Sequence, residues 1–219
     1  MPETIRALTH EIIACRRCPR LAAWREEVAL DPPARYRGQT YWARPVPGFG
    51  DPRARLLVVG LAPAAHGGNR TGRAFTGDRS GEWLYRALYR AGFANKAEST
   101  HANDGLRLTG AYIAAVVRCA PPDNKPTPQE RDNCIGYLER ELALLKNVTV
   151  VVALGSFAWN GFLRASGERA RPKFGHGARE EIGRWTLLGT YHPSQQNTFT
   201  GKLTEVMLDA VFAEARRLV

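Results

Sequence analysis

Between Leu56 and Leu84 the chain reads LLVVGLAPAAHGGNRTGRAFTGDRSGEWL, an apolar run followed by a long loop rich in Gly, Asn and Arg and then by helical spacing. Leu56 to Val59 have the brevity and β-branched bias of a buried strand, which Gly60 ends. Ser80 is the expected N-cap of a helix carrying Leu84, Leu88 and Ala91, with Gly92 as its stop. Loops above about 12 to 15 residues are usually functional or disordered. In an open α/β sheet the ligand crevice lies at the carboxyl ends of the strands, so this loop is the first candidate site.

The remaining segments repeat that plan. An amphipathic helix is predicted over Glu3 to Ala14, and Leu30 to Gly50, rich in Pro, Gly, Tyr and Arg, predicts no regular structure. Further strands are predicted at Ala111–Val117, Val148–Leu154 and Trp185–Leu188. Thr127, Pro128 and Glu130 form a capping-box start for a helix to Leu145, and Gly155 with Ser156 opens another ending near Ser166. Leu203, Val206, Met207, Ala210, Val211 and Ala213 stripe a last helix. Strand, loop and helix repeated four times give a three-layer α/β/α sandwich with a four-stranded, mainly parallel sheet, as a single domain over 1–219. The Gly60–Asp78 loop and the loops at Asn124 and His192 all follow strand ends, and so should share one rim.

With 31 Lys and Arg against 21 Asp and Glu, the chain carries a net charge of +10, which favours a polyanionic partner. No run of 18 apolar residues and no secretory layout is present, so a cytosolic protein is expected and disulfides are not. Cys15-x-x-Cys18 with Cys119 and Cys134 could present four thiolates to zinc or to a four-iron cluster, or be four unconnected core residues. No GK[ST] follows the Gly-rich loop and no acidic cluster would hold magnesium, which weakens a nucleotide hydrolase.

The stretches GLAPAAHGGNRTGRAFTGDRSG, VVRCAPPDNKPTPQE, VVVALG and YHPSQQN together resemble the iron-sulfur uracil-DNA glycosylases of thermophilic prokaryotes, specifically the type-b, or family 5, branch. The resemblance runs in order from Cys15 to Asn197. It implies a glycosylase fold with a structural [4Fe-4S] cluster on Cys15, Cys18, Cys119 and Cys134 that staples the 1–50 segment beside the DNA, and a monomer. The related family 4 pattern has an acidic residue where this chain runs Ala64, Ala65, His66, Gly67, Gly68, and a base-reading Asn at the position aligned with Ala115. Losing that reader weakens discrimination. Hypoxanthine, xanthine and other deaminated bases are therefore expected substrates beside uracil.

Cleaving a base from deoxyribose builds positive charge on the sugar and negative charge on the base. His192 is the candidate donor to the base carbonyl, with its other ring nitrogen held. Asp78 could orient water or face the sugar, or it could merely counter a helix dipole. Asn124 could hold the same water or only form a turn. Phe75 is a candidate platform for the extracted base, and Gly60, Leu61, Ala62 and Pro63 offer backbone groups to it. Arg73, Ser194, Gln195 and Gln196 are expected on the DNA, with Arg169, Arg171, Lys173 and Arg179 tracking its backbone. The rival reading is a zinc- or cluster-stapled module that binds nucleic acid without chemistry.

Overall fold

Strands covered on both faces need no alternation of apolar and polar residues, and three five-residue runs show this. Leu56–Gly60 (β2), Ala111–Ala115 (β3) and Val150–Leu154 (β4) are buried along their whole length. With Trp185–Thr190 (β6) they pair in parallel, in the order β3, β2, β4, β6. The computed structural model describes residues 3–219; Met1 and Pro2, where the expected single domain begins, lie outside the described residues.

The sheet has six strands, not four. Phe49–Gly50 (β1) adds antiparallel to β3, and Arg179–Ile182 (β5) adds antiparallel to β6, giving the order β1-β3-β2-β4-β6-β5. Both additions are edge strands. β1 is two residues long, and β5 reads REEI, so neither carries an apolar signal.

Alternate residues of each strand face opposite layers. Leu57, Val59, Ala114, Val151 and Leu187 pack with Leu138 and Leu142 of Pro128–Leu144 (α5) and with Trp159 and Phe162 of Ser156–Ala165 (α6). Leu56, Val58, Ile113, Val152 and Leu188 pack with Leu84 and Leu88 of Arg79–Arg90 (α4) and with Leu208 and Phe212 of Glu205–Leu218 (α8). The α5 start is as predicted, with the Thr127–Glu130 capping box and Pro128 at its first turn. After the short helix Gly68–Thr71 (α3), helix α4 begins two residues earlier than expected, because Asp78 and not Ser80 supplies the cap.

Ile5–Ala14 (α1) lays Leu8 and Ile12 against Cys134 and Tyr137 of α5, and Arg140 of α5 pairs with Glu3 and Glu11. Apolar contact and ion pairs thus hold the N-terminal segment to the domain. An unexpected helix, Pro19–Leu30 (α2), follows; its buried face mixes Leu21, Ala22 and Val28 with Arg25, which hides the periodicity. None of the described helices is long and apolar enough to cross a membrane.

Arg118, just past β3, pairs with Glu141 of α5, and each side chain is 1% exposed. Removing one partner of a buried pair leaves the other charge uncompensated, so Glu141→Ala should cost about 3–5 kcal/mol. Urea unfolding reads this as a lowered midpoint; an unchanged midpoint would show that the pair contributes nothing.

Candidate active site

Parallel pairing sends the carboxyl ends of β2, β3, β4 and β6 to one rim. Gly60 lies in register with Ala115 there, and the ladder continues past both: Val116 and Val117 donate their N–H groups to the Gly60 and Leu61 carbonyls at 3.0 Å. At the far side, Gly155 adopts φ +91°, a region that favours glycine, and donates to the Thr190 carbonyl at 2.8 Å; a Cβ on it would be in ordinary contact with the His192 Cβ, at 3.4 Å. Ser194 caps the short helix Gln195–Phe199 (α7), from which the Asn197 amide donates to the His192 carbonyl at 2.9 Å. The backbone at His192 is thereby tied from both sides.

The first loop brings Phe75 to the same place. Its ring centroid stands 5.9 Å from that of His192, at 34° between planes, and a Cβ on Gly60 would lie 2.6 Å from Phe75 Cζ. Phe75 has φ +52°, a region bulky residues avoid. Its carbonyl presses on the start of α4, where a Cβ on Gly81 would meet it at 1.8 Å. A buried network holds this conformation. Tyr85 Oη donates to the Ala74 carbonyl at 2.8 Å, and Arg73 Nε donates to Thr76 Oγ1 at 2.9 Å. Arg73 also grips both Asp104 oxygens, at 3.0 and 2.7 Å, and donates to Ser99 Oγ at 2.9 Å. Burial pushes the Asp104 carboxyl up, but Arg73 and the Leu106 and Thr100 N–H groups outweigh it and hold it far below the carboxylate range. Arg73, expected on the DNA, is corrected here: it is 4% exposed and spent on Asp104, Ser99 and Thr76, so it locks the loop.

Asp78 uses one oxygen as a cap, Oδ1 accepting from Gly81 N–H at 2.9 Å. The other, Oδ2, faces Gly67 so closely that a Cβ there would be 1.8 Å away. Burial pushes the Asp78 carboxyl up, opposed by the Gly81 and Ser80 N–H groups. Burial pushes the His192 imidazole down to about 4, so it is neutral at pH 7. Its ring makes no hydrogen bond among the described residues, so the expected partner on the second nitrogen is not found.

Ala115 and Pro63 are buried at the rim, and Leu61 and Ala62 half-buried. Asn124 sits in an exposed turn at φ +55° and makes no hydrogen bond to Asp78 or His192. Gln195, Gln196, Arg169, Arg171 and Lys173 are exposed, whereas Arg179, also exposed, pairs with Glu214 at 3.0 Å. Sequence reasoning did not single out Gly81, which permits the close approach of the Phe75 carbonyl, or Asp104 and Asn197, which fix the loops.

All four cysteines line one small recess of about 20 Å³, together with Arg25, Arg118 and Tyr137. Cys15 ends α1 and Cys18 caps α2, so the pair lies between two helices. Arg25 donates to Cys119 Sγ at 3.0 Å and the Arg118 backbone N–H to Cys134 Sγ at 3.3 Å. Burial pushes the Cys119 thiol up to about 11 and the Cys134 thiol up to about 12. Arg25 Nε and Arg118 Nε and Nη1 are buried without partners. Among the described residues no three donors converge as a single metal ion requires. Thiolates on a four-iron cluster each bind a different iron, so they stand around a group and not around a point. The donor set and the orphaned guanidinium N–H groups fit such an anionic group.

A profile of the Uracil DNA glycosylase superfamily matches residues 47–216. The chain belongs to that superfamily. It is 56% identical to a Type-5 uracil-DNA glycosylase of Mycobacterium bovis, over 94% of this chain and 79% of that protein. The Type-5 uracil-DNA glycosylase of Thermus thermophilus is 55% identical over 97% of each chain, and that of Pyrobaculum aerophilum 44% over 94% of this chain and 89% of its own.

In this superfamily member the His192 imidazole, at about 4 in the fold and about 6.5 when unfolded, contributes stability that is complete above pH ~6.5 and lost as the pH falls toward 4. Replacing His192 with Asn should flatten the loss of stability across that window, measured by urea unfolding at a series of pH values. A slope as steep as in the unaltered protein would contradict a buried neutral imidazole.

Proposed function

We propose that the chain is a monofunctional DNA glycosylase of base excision repair, which hydrolyses the N-glycosidic bond of uracil in DNA and leaves an abasic site. The observation that supports the reading is the contact of the Phe75 ring with His192 in a chain of the uracil-DNA glycosylase superfamily. Water is the co-reactant: its oxygen bonds to the sugar carbon as the bond to the base breaks, the departing electron pair goes to the base, and the proton that the water loses balances the one that the base takes up from solvent.

Phe75 stacks the extracted base, and Gly60, Leu61, Ala62 and Pro63 present backbone to its edge. His192, neutral at pH 7, donates an N–H to the base carbonyl as negative charge arrives there. Asp78 turns Oδ2 toward the attacking water and the cationic sugar, its Oδ1 being fixed on Gly81. Asn124 reaches the same water from the neighbouring loop only if its turn closes over bound DNA. Ala115 offers the base a methyl and no hydrogen bond, which supports hypoxanthine and xanthine as further substrates. Ser194, Gln195 and Gln196 approach the DNA beside the lesion.

A structural [4Fe-4S] cluster on Cys15, Cys18, Cys119 and Cys134 belongs to the same reading, supported by the shared recess and its unpartnered Arg25 and Arg118 N–H groups. Bound there, it supplies a cross-link between the N-terminal helices, α5 and the end of β3, and no step of the hydrolysis.

The experiment is incubation with a uracil-containing duplex, followed by scoring of abasic sites. His192→Ala and Asp78→Ala should each lower turnover by about 100-fold or more, with DNA affinity nearly unchanged. Turnover equal to the unaltered protein in both variants would remove the assignment, and no abasic sites at all would favour the binding module. Metal analysis of the same preparation should find iron, with a brown colour; zinc would refute the cluster.

A further inference from the structure

Asn69 is fully buried in α3, yet only half of its side-chain amide is used. Its Nδ2 donates to the Arg25 carbonyl of α2 at 3.1 Å, while Oδ1 is buried without a partner. The amide cannot be turned round, since Oδ1 would then face the carbonyl, acceptor against acceptor. A buried polar group left half-satisfied is costly, so the bond it does make calls for an explanation.

The helix that carries Asn69 cannot stand alone. Gly68–Thr71 is a single turn of four residues, too short to be stable by itself. It nevertheless builds a wall of the candidate site. The Thr71 N–H and Oγ1 both donate to the Gly67 carbonyl, at 2.9 and 3.1 Å, and Asp78 Oδ2 lies so close to Gly67 that no Cβ would fit there. Trp42 and Ala43 donate their N–H groups to the Arg70 and Asn69 carbonyls, at 2.9 and 3.0 Å, but from irregular chain. Arg73 on Asp104 fixes the Phe75 end of the loop. The Asn69 amide supplies the hydrogen bond from the Gly67 end to a full helix. That helix is itself held at the same residue. Arg25 is 2% exposed, its Nη1 donates to Cys119 Sγ at 3.0 Å, and both Nη1 and Nη2 donate to the Cys15 carbonyl at 3.5 Å. Its side chain is thus fixed in the cysteine recess and its carbonyl on the loop of Asp78.

We propose that Asn69 is a positioning residue for Asp78: it anchors α3 to α2 at Arg25, which the cysteine recess holds in place, and so fixes Gly67 behind Asp78 Oδ2. The inference rests on the glycosylase reading for its effect on turnover, and on the contacts alone for its effect on the loop.

Asn69→Asp keeps the shape of the side chain and removes the donor, and Asn69→Ala removes the donor without adding a charge. In both, amide exchange across Gly67–Asp78, read by mass spectrometry, should quicken about fivefold, as the loss of one buried hydrogen bond implies. In both, kcat for uracil release should fall about tenfold with KM within about twofold, because Asp78 is misplaced while the DNA contacts remain. Arg25→Met should give the same pattern, and the Arg25→Met, Asn69→Ala double variant should be little worse than the worse single one. Exchange and kcat at the levels of the unaltered protein in both Asn69 variants would overturn the inference. Effects that simply add in the double variant would overturn the footing on Arg25. No uracil release by the unaltered protein would sink the glycosylase reading, and the exchange measurement would still decide whether Asn69 holds the loop.

Discussion

The buried grip of Arg73 on Asp104 is the interaction on which the rim depends. A non-glycine residue in the left-handed region costs of order 1–3 kcal/mol, and Phe75 at φ +52° carries that cost. It persists because Arg73, Thr76, Ser99 and Tyr85 form a satisfied network on both sides of it. Bidentate pairing of Arg with a carboxylate is strong and geometrically specific, and at 4% and 3% side-chain exposure it is little screened. The loop is therefore rigid where a long polar loop would ordinarily be mobile, and the aromatic ring it carries is aimed before any ligand arrives.

The rest of the rim follows from backbone contact. Parallel strands end together, and glycines let side chains approach closely there: Gly60, at the end of β2, under the Phe75 ring, and Gly67, in the loop, against Asp78. Burial then sets the chemistry. It pushes the His192 imidazole down to about 4 and the Asp78 carboxyl up. The four thiols of the cysteine recess come from the ends of α1 and α2, from α5 and from the segment after β3, beside a buried Arg118–Glu141 pair.

The central strands were legible because unbroken apolar runs such as VVVAL have few other uses, and α5 because Thr127, Pro128 and Glu130 state a helix start in three residues. The edge strands were not, since β1 is too short to show a pattern and β5 is polar. Asp78 and Ser80 are both good caps, and only the packing of Gly81 on Phe75 separates them. Arg73 illustrates the deeper limit: next to Phe75 in a basic chain it reads as a DNA contact, because the acid that claims it lies 31 residues away. The juxtaposition of Phe75 with His192 was foreseeable from topology, as both follow ends of parallel strands, whereas the identity of what fixes them was not.

The central claim is that close approach at Gly60 places the Phe75 ring against His192, and that this placement makes the site. Gly60 has no left-handed backbone to lose, so Gly60→Ala adds only a methyl, 2.6 Å from Phe75 Cζ. The account predicts a folded protein by circular dichroism whose uracil release falls by more than about tenfold, as displacement by about an ångström from a productive geometry implies. Release at the rate of the unaltered protein would show that the Phe75–His192 contact does not shape the site.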